Sequence, residues 1–496
     1  MNSLKHAKDY IMENRVDKSV LPAFHAAPPC GWINDPNGFS YYEGKIHLFC
    51  QLHPYDTVWG PMHRGHFVSD DFISWEEMQV VLAPEECYDY AGCFSGTAIE
   101  TEKGHLLAYT GVIEKEIGGT ITMLQNQCLA IGDGKEYVKF EQNPVVTGEL
   151  LPKEFSRNDF RDPKLWKEDD CYYMIAGNKT IDGMPQIVLL ASLDLLNWKY
   201  VSVLAKDDEH KLGSMWECPD FFIMDGKYVL MFSPQDMEGN DELHNGHNSI
   251  YFIGDYDKTT HEFKRGDYYS FDDGLDFYAP QTMAFPDGRR IMIGWMQSWD
   301  SNIRPPKQKW ACMMTIPREL SIVNGRIRQS PVREIEKYHS NQYICECCKV
   351  RGTINIPEIS GRMLDLSIEI TDGDYNEFTI RFASNDKYHC DFIFYKYKNM
   401  IEMDRSHSGM IRDTIASRRV KIRYPHRNLR LRFILDKYSA EIFVNNGEQV
   451  LSTTFYTPLN AEDICFSCDK EAVMNIVKHE LCFNLPGNKQ GERNDE

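Results

Sequence analysis

The first twenty residues of this 496-residue chain hold no apolar core: Lys5, Lys8, Arg15 and Lys18 sit among acids between Met1 and Val20. No export signal is expected from such a start, and nowhere does an apolar run approach the roughly 20 residues a membrane span needs. Basic residues are in deficit, 54 against 74 acidic, for a formal charge of -20. Such a surface repels phosphate backbones and anionic lipid, which argues against nucleic acid and membranes as partners. No D-x-D-x-D-G loop occurs, so a local calcium cage is not expected, and no metal is called for. The fifteen cysteines are scattered rather than spaced as a framework. They read as free thiols in a reducing cytosol. Two groups are crowded. Cys345, Cys347 and Cys348 lack a second pair of metal ligands, and Cys465 and Cys468, three apart, point to opposite faces of any strand that carries them.

The length points to two domains, and 42% apolar with 12% aromatic residues to a globular chain. Residues 1–18 read as an amphipathic helix, within an N-terminal segment ending at residue 20, with Leu4, Ala7, Ile11 and Met12 on one side. After Leu21-Pro22 the pattern becomes strands and turns. Pro29 to Phe39, P-C-G-W-I-N-D-P-N-G-F, sets an acid before a proline, which is expected to hold Asp35 extended, and an Asn-Gly turn follows. A turn and an apolar strand come next at Gly44 and Ile46-His-Leu-Phe. The same unit returns at Gly104, Asp170, Gly226 and Gly288, at spacings of 60, 66, 56 and 62 residues. Ser69 to Trp75 also echoes Ser192 to Trp198. Repeats of this length, each supplying several short strands, predict a five-bladed β-propeller over residues 21–335.

Eight or nine residues before three of those turns stands an acid: Asp35, Asp162 and Glu217. Prolines 36, 163, 219 and 280 keep similar phase, as befits the start of a strand. Each acid alone reads as an ordinary turn or salt-bridge residue. Their common phase places them at equivalent points of three blades, converging on one mouth of the ring if that strand is innermost. Phe94-Ser95 and Asp276-Phe277-Tyr278 occupy the comparable places of the other two units, as neutral or sugar-stacking parts of the pocket. Convergent carboxylates without a metal loop suit glycoside cleavage, in which one acts as nucleophile and another as general acid. Trp32, Trp59, Trp216, Trp295 and Trp299 offer faces for sugar C–H surfaces, although core packing is the default for any one tryptophan.

The motifs W-I-N-D-P-N-G, W-G-P-M-H at 59–63, F-S-G at 94–96, F-R-D-P at 160–163, W-E-C-P-D at 216–220, D-F-Y-A-P-Q at 276–281 and M-T-I-P-R-E-L at 314–320 carry a family resemblance. Together, in register from about Pro28 to Val332, they resemble glycoside hydrolase family 32, the invertases, sucrose-6-phosphate hydrolases and fructan β-fructosidases. The resemblance implies Asp35 as nucleophile, Glu217 as acid and base, and Asp162 as the residue that binds fructose hydroxyls and stabilises the transition state. It also implies a fructose-binding set of Asn34, Gln51, Trp59, Phe94, Ser95 and Arg161, with Cys218 tuning the acid before it; Trp32, Tyr278 and Trp295 join Cys218 as substrate-binding candidates on their positions in the chain. Two residues depart from the family pattern. Cys50 replaces the aromatic usual before Gln51. Arg64 stands where tryptophan is common, and it is expected either in the leaving-group subsite, where it meets a phosphate, or in an ordinary salt bridge.

Beyond Pro331-Val332 two-residue alternation takes over, at Leu364–Ile370, Phe378–Phe382 and Leu429–Phe433, with a hairpin turn at Val444 to Gly447. A β-sandwich over 345–486 follows, with a disordered polar tail at 487–496. The whole chain is expected to be all-β: propeller, then C-terminal sandwich, with a short N-terminal helix. The implied activity is a cytoplasmic retaining β-fructofuranosidase acting on sucrose, sucrose 6-phosphate or short fructo-oligosaccharides, without a cofactor. Self-association is left open. The rival readings are an exo-acting fructan hydrolase, an inverting glycosidase for another furanoside, and a non-catalytic sugar-binding propeller.

Overall fold

Four-stranded antiparallel sheets recur along the first two thirds of the chain, and in each the first strand lies innermost. A computed structural model describes residues 3–209, 211–239, 243–301, 303–304, 307–409, 415–424 and 426–483. The inner strands of the five blades are Gly31–Tyr42, Gly92–Thr101, Phe155–Glu168, Met215–Met224 and Tyr278–Ala284. The repeated turns read from the sequence are the hairpins between inner and second strands. Apolar clusters fill every seam between blades: Phe49 with Leu107, Leu129 with Val188, Ile187 with Phe252, Met231 with Met292, and Leu48 with Ile293 where the ring closes. An inner strand is therefore buried on both faces, and Gly31–Tyr42 exposes only one residue, Tyr41. Trp310–Ala311 returns from the fifth blade to pair in parallel with Gly31 and Trp32, which closes the ring.

Each inner strand breaks register near its start, at Asn34/Pro36, Phe94/Gly96, Arg161/Lys164, Glu217/Asp220 and Tyr278/Gln281. In four of these bulges the residue before the proline takes a positive φ: Asp35 37°, Asp162 63°, Cys218 48° and Ala279 49°. The expectation that Pro36 holds Asp35 extended is overturned, because the bulge geometry overrides the local proline preference. The phase of the acids needs a second correction. Cys218, not Glu217, is the counterpart of Asp35 and Asp162, and Glu217 lies one residue earlier.

The N-terminal helix is Leu4–Asn14, capped by Ser3, whose hydroxyl accepts the backbone N–H of His6. Ala7 and Ile11, one turn apart, are buried, whereas Met12 is 72% exposed and does not share that face. The C-terminal domain is a sandwich made from one continuous hydrogen-bonded sheet. The long strand Asp463–Leu481 pairs with Glu377–Ser384 through its first half and with Leu364–Asp374 through its second, so the sheet folds over itself there. His339–Ser360 runs along its other edge. A bulge in that edge strand, with Cys347 at φ 52°, brings Cys345 and Cys348 together as a disulfide, with Cα atoms 6.1 Å apart. The fifteen cysteines are thus not all free, although the other thirteen are. Burial pushes the thiols of Cys465 and Cys468 up, away from reactive thiolate. The predicted tail at 487–496 lies outside the described residues.

Buried charges lock sandwich to propeller. Arg318 of the fifth blade pairs with Glu441 at 2.6 Å and Asp272 at 3.0 Å, and His25 bridges Asp436 at 2.8 Å and Glu441 at 3.0 Å. Asp276, expected in the pocket, instead pairs with Arg405 of the sandwich, and Phe277 lies under the Arg318 guanidinium. Among the described residues no helix is long and apolar enough to cross a membrane.

Candidate active site

The five bulges stack two rings of side chains at one mouth of the propeller. Asn34, Phe94, Arg161, Glu217 and Tyr278 form the outer ring. Asp35, Ser95, Asp162, Cys218 and Ala279 form the inner one. Adjacent members are joined. Ser95 Oγ donates to Asp35 Oδ2 at 2.7 Å and accepts from Gln51 Nε2, which also reaches Asp35 Oδ2 at 3.0 Å. The backbone N–H of Cys218 donates to Asp162 Oδ2 at 3.0 Å. The Cys218 sulfur lies 3.7 Å from Oδ2 of both Asp35 and Asp162, bridging the two acids. Arg161 Nε donates to Glu217 Oε1 at 2.9 Å, and Tyr278 Oη to Glu217 Oε2 at 2.8 Å. Gly177, cross-strand from Arg161, makes this approach possible, since a Cβ there would stand 2.2 Å from the Trp216 carbonyl oxygen.

Asp35 and Asp162 are 6% and 5% exposed. Burial first, and then the charge of Glu217, push the Asp35 carboxyl up to about 6, against hydrogen bonds led by that from Ser95 that pull it down. Burial and Glu217 raise Asp162 as well, opposed by Arg161. Three oxygens and nitrogens of the pocket, Asp35 Oδ1, Asn34 Nδ2 and Gln51 Oε1, are buried without a protein partner among the described residues. Unpaired buried polar atoms are costly, and here they mark where a polyhydroxylated ligand would bond. Beneath, Lys164 Nζ meets Asp220 at 3.0 Å, and the hydroxyl and N–H of Thr282 donate to the same carboxylate at 2.8 Å, filling the channel.

Other expected residues are sorted by their surroundings. Trp32 Nε1 donates to Asn34 Oδ1 at 3.0 Å, and its ring lies beside Trp295 and Trp299. Trp59, 39% exposed, stands edge-on to Phe94 at the rim, with ring centroids 5.7 Å apart. Trp295 and Trp216 are fully buried, the latter stacked on Phe232, so both are core rather than open sugar platforms. Arg64 does not meet its expectation. It is 2% exposed, donates from Nη2 to the Phe94 carbonyl at 2.5 Å, and makes no ion pair among the described residues. It props the strand under Phe94 and Ser95 rather than facing a leaving group. Sequence pattern did not single out Thr110, Gln125, Ser233 and Gln235. Thr110 Oγ1 accepts the Asp162 N–H at 2.9 Å, and Gln125 and Gln235 accept from Arg161. A signal did exist for two of them. The residue opposite each outer-ring member comes 16 or 17 positions later, as in Asn34 to Gln51, and the same count gives Thr110 and Ser233.

A buried cluster of carboxyls, one with an unpaired oxygen, at the mouth of a five-bladed propeller backed by a sandwich defines a glycoside hydrolase. The chain belongs to glycosyl hydrolases family 32: the N-terminal domain of that family matches residues 25–331 and its C-terminal module 334–480. A raffinose invertase of Escherichia coli is 35% identical over 452 residues, covering 89% of this chain and 91% of the relative. A sucrose-6-phosphate hydrolase of Escherichia coli is 33% identical over 454 residues, covering 90% and 91%. The structure of a Bombyx mori β-fructofuranosidase superposes with a TM-score of 0.81 at 31% identity, covering 96% of this chain and 97% of that one. The activity is of β-fructofuranosidase type on fructose-containing sugars.

Proposed function

We propose that this chain is a cytoplasmic retaining β-fructofuranosidase that releases the terminal non-reducing fructosyl unit of sucrose, sucrose 6-phosphate or short fructo-oligosaccharides. The observation that carries this reading is the asymmetry of Asp35. Its Oδ2 is fixed by Ser95 and Gln51, and its Oδ1 is buried and unpaired. An oxygen held so is oriented for attack and carries little hydration to shed.

Asp35 Oδ1 attacks the anomeric carbon as the glycosidic C–O bond breaks. Glu217, gripped between Arg161 and Tyr278, gives its proton to the departing oxygen. A fructosyl ester on Asp35 results. Glu217 then takes a proton from water, whose oxygen attacks the same carbon and frees Asp35, so configuration is retained. Asp162, anchored by the Cys218 N–H, keeps its other oxygen for fructose hydroxyls, which strengthen their bonds as positive charge builds on the ring. Trapping settles the assignment. An activated fructoside whose leaving group departs without a proton, such as β-fructosyl fluoride, incubated with Glu217→Ala should leave a fructosyl adduct on the Asp35 peptide, while turnover of sucrose falls about 10²–10⁴-fold. Undiminished cleavage by Asp35→Ala would reject the mechanism.

A further inference from the structure

Beside Glu217, the loop joining Lys227–Gln235 to Ile250–Asp257 carries His247 over Tyr278 of the fifth blade. The two rings are 5.9 Å apart at 72°, and the Tyr278 hydroxyl is the one bonded to Glu217. His247 is not buried, its side chain being 19% exposed at the mouth. Asp300, from the loop between Arg290–Met296 and Trp310–Ala311, accepts both the His247 backbone N–H at 2.8 Å and its Nδ1–H at 3.3 Å. That bond sets the tautomer and turns Nε2 outward, without a protein partner among the described residues. Burial works to lower the imidazole's pKa, but the Asp300 bond and the charges of Asp300, Glu217 and Asp236 outweigh it and raise it, which favours an Nε2–H donor.

The charges around this ring are mostly negative. Asp159, Asp236 and Asp300 join the three site carboxyls. The cations among them are already engaged: Arg161 with Glu217 and Asp159, Lys179 with Asp159, and His247 with Asp300. Arg304 is the exception: among the described residues it is bonded, at 3.3 Å, only to the carbonyl and hydroxyl of Thr57, in the rim segment that leads to Trp59. A phosphoryl dianion entering near Glu217 would meet mostly like charge, and the cations Arg161, Lys179 and His247 are already engaged, with Arg304 held at the rim.

We propose that His247, oriented by Asp300, is the specificity residue of the leaving-group side, and that this side takes an uncharged sugar hydroxyl rather than a phosphorylated one. The inference rests on the β-fructofuranosidase reading above and narrows its substrate.

Three substrates test it: sucrose, sucrose 6-phosphate, and methyl β-D-fructofuranoside, whose methanol leaving group offers His247 nothing to bind. Wild type should favour sucrose over its 6-phosphate by at least about 10-fold in kcat/KM. His247→Ala should lose about 10–100-fold on sucrose but less than about 3-fold on the methyl fructoside, and His247→Gln, which keeps an N–H near the Nε2 position, should recover most of the loss. Asp300→Asn, which frees the ring without removing it, should raise KM for sucrose alone and serves if the alanine variant does not fold. Equal losses on both unphosphorylated substrates, or no loss, would overturn the role of His247. A wild-type preference for the phosphorylated sugar that vanishes in Arg304→Gln would overturn the choice of leaving group. If wild type cleaves none of the three, the fructosidase reading itself falls and takes this one with it, a result the other outcomes do not resemble.

Discussion

Ser95 donates its hydroxyl to Oδ2 of Asp35 across 2.7 Å, while Oδ1 of that carboxyl, equally buried, has no partner among the described residues. The bond fixes the nucleophile's rotamer and also favours its ionised form, against the burial that raises its pKa to about 6. A nucleophile must be ionised, so activity falls as pH drops through that value. In Ser95→Ala the downward pull is lost. We expect kcat/KM to fall about 10-fold and its acid limb to move to higher pH. Because the site acids titrate together, the limb is compared between wild type and variant rather than assigned to one group. An unmoved limb would show that Ser95 does not set the charge of Asp35.

Arg64 supports the neighbouring strand through the Phe94 carbonyl, and removing it takes away that hydrogen bond and the packing of a buried side chain. Arg64→Ala should therefore cost about 1–3 kcal/mol of stability and reduce turnover of sucrose and sucrose 6-phosphate by the same factor. A loss confined to the phosphorylated substrate would return Arg64 to the leaving-group side.

The propeller was legible because five hairpins repeat at nearly constant spacing, and Asp35, Asp162 and Glu217 stood out because each precedes its hairpin by a similar count. What could not be read was the bulge. A proline after Asp35 argues for an extended residue, yet five strand starts crowded at one mouth curl locally, and the resulting positive φ turns Asp35, Asp162 and Cys218 inward together. That curl explains the one-residue offset of Glu217, which sits in the outer ring facing Arg161 while Cys218 takes the inner place. Arg64 and Asp276 were misjudged for another reason. Their motifs mark them, but whether a charged side chain points to the pocket, a strand carbonyl or the second domain depends on contacts distant in the chain, 30 residues for Arg64 and Phe94 and 129 for Asp276 and Arg405.

His25 shows how the two domains depend on one another. Burial works against its charge, but the hydrogen bonds it donates to Asp436 and Glu441 outweigh this and raise its pKa to about 9. A group so raised contributes its stabilisation fully below its unfolded value near 6.5, and loses it as pH rises through 9. The window is worth about 3 kcal/mol. Thermal melts from pH 7 to 10 should show stability declining across that range. His25→Gln should be less stable at pH 7 and should lack the decline. An identical slope in both would place the alkaline sensitivity elsewhere.

The opposite limb belongs to a histidine stack at the seam of the first two blades. His47 Nδ1 and His66 Nε2 share one hydrogen bond at 3.0 Å, and His105 bonds Tyr137 at 2.7 Å and Ser40 at 3.0 Å. Rings of Tyr42 and Phe49 cover them, and no carboxylate bonds any of the three among the described residues. Burial lowers His47 to about 4 and His105 to about 3. The folded state thus refuses protons that the unfolded chain accepts below about 6.5. Stability is complete above that pH and is lost as pH falls toward 4, by about 3 kcal/mol for His47 alone. His47→Phe combined with His66→Phe removes both partners of the shared bond, so it should be nearly neutral near pH 7.5 and flatten the acid limb of the melting temperature. Activity is the wrong readout here, since Asp35 loses its charge over the same range. An acid limb as steep in the double variant as in wild type would show that the stack remains neutral through unfolding and that other groups govern acid stability.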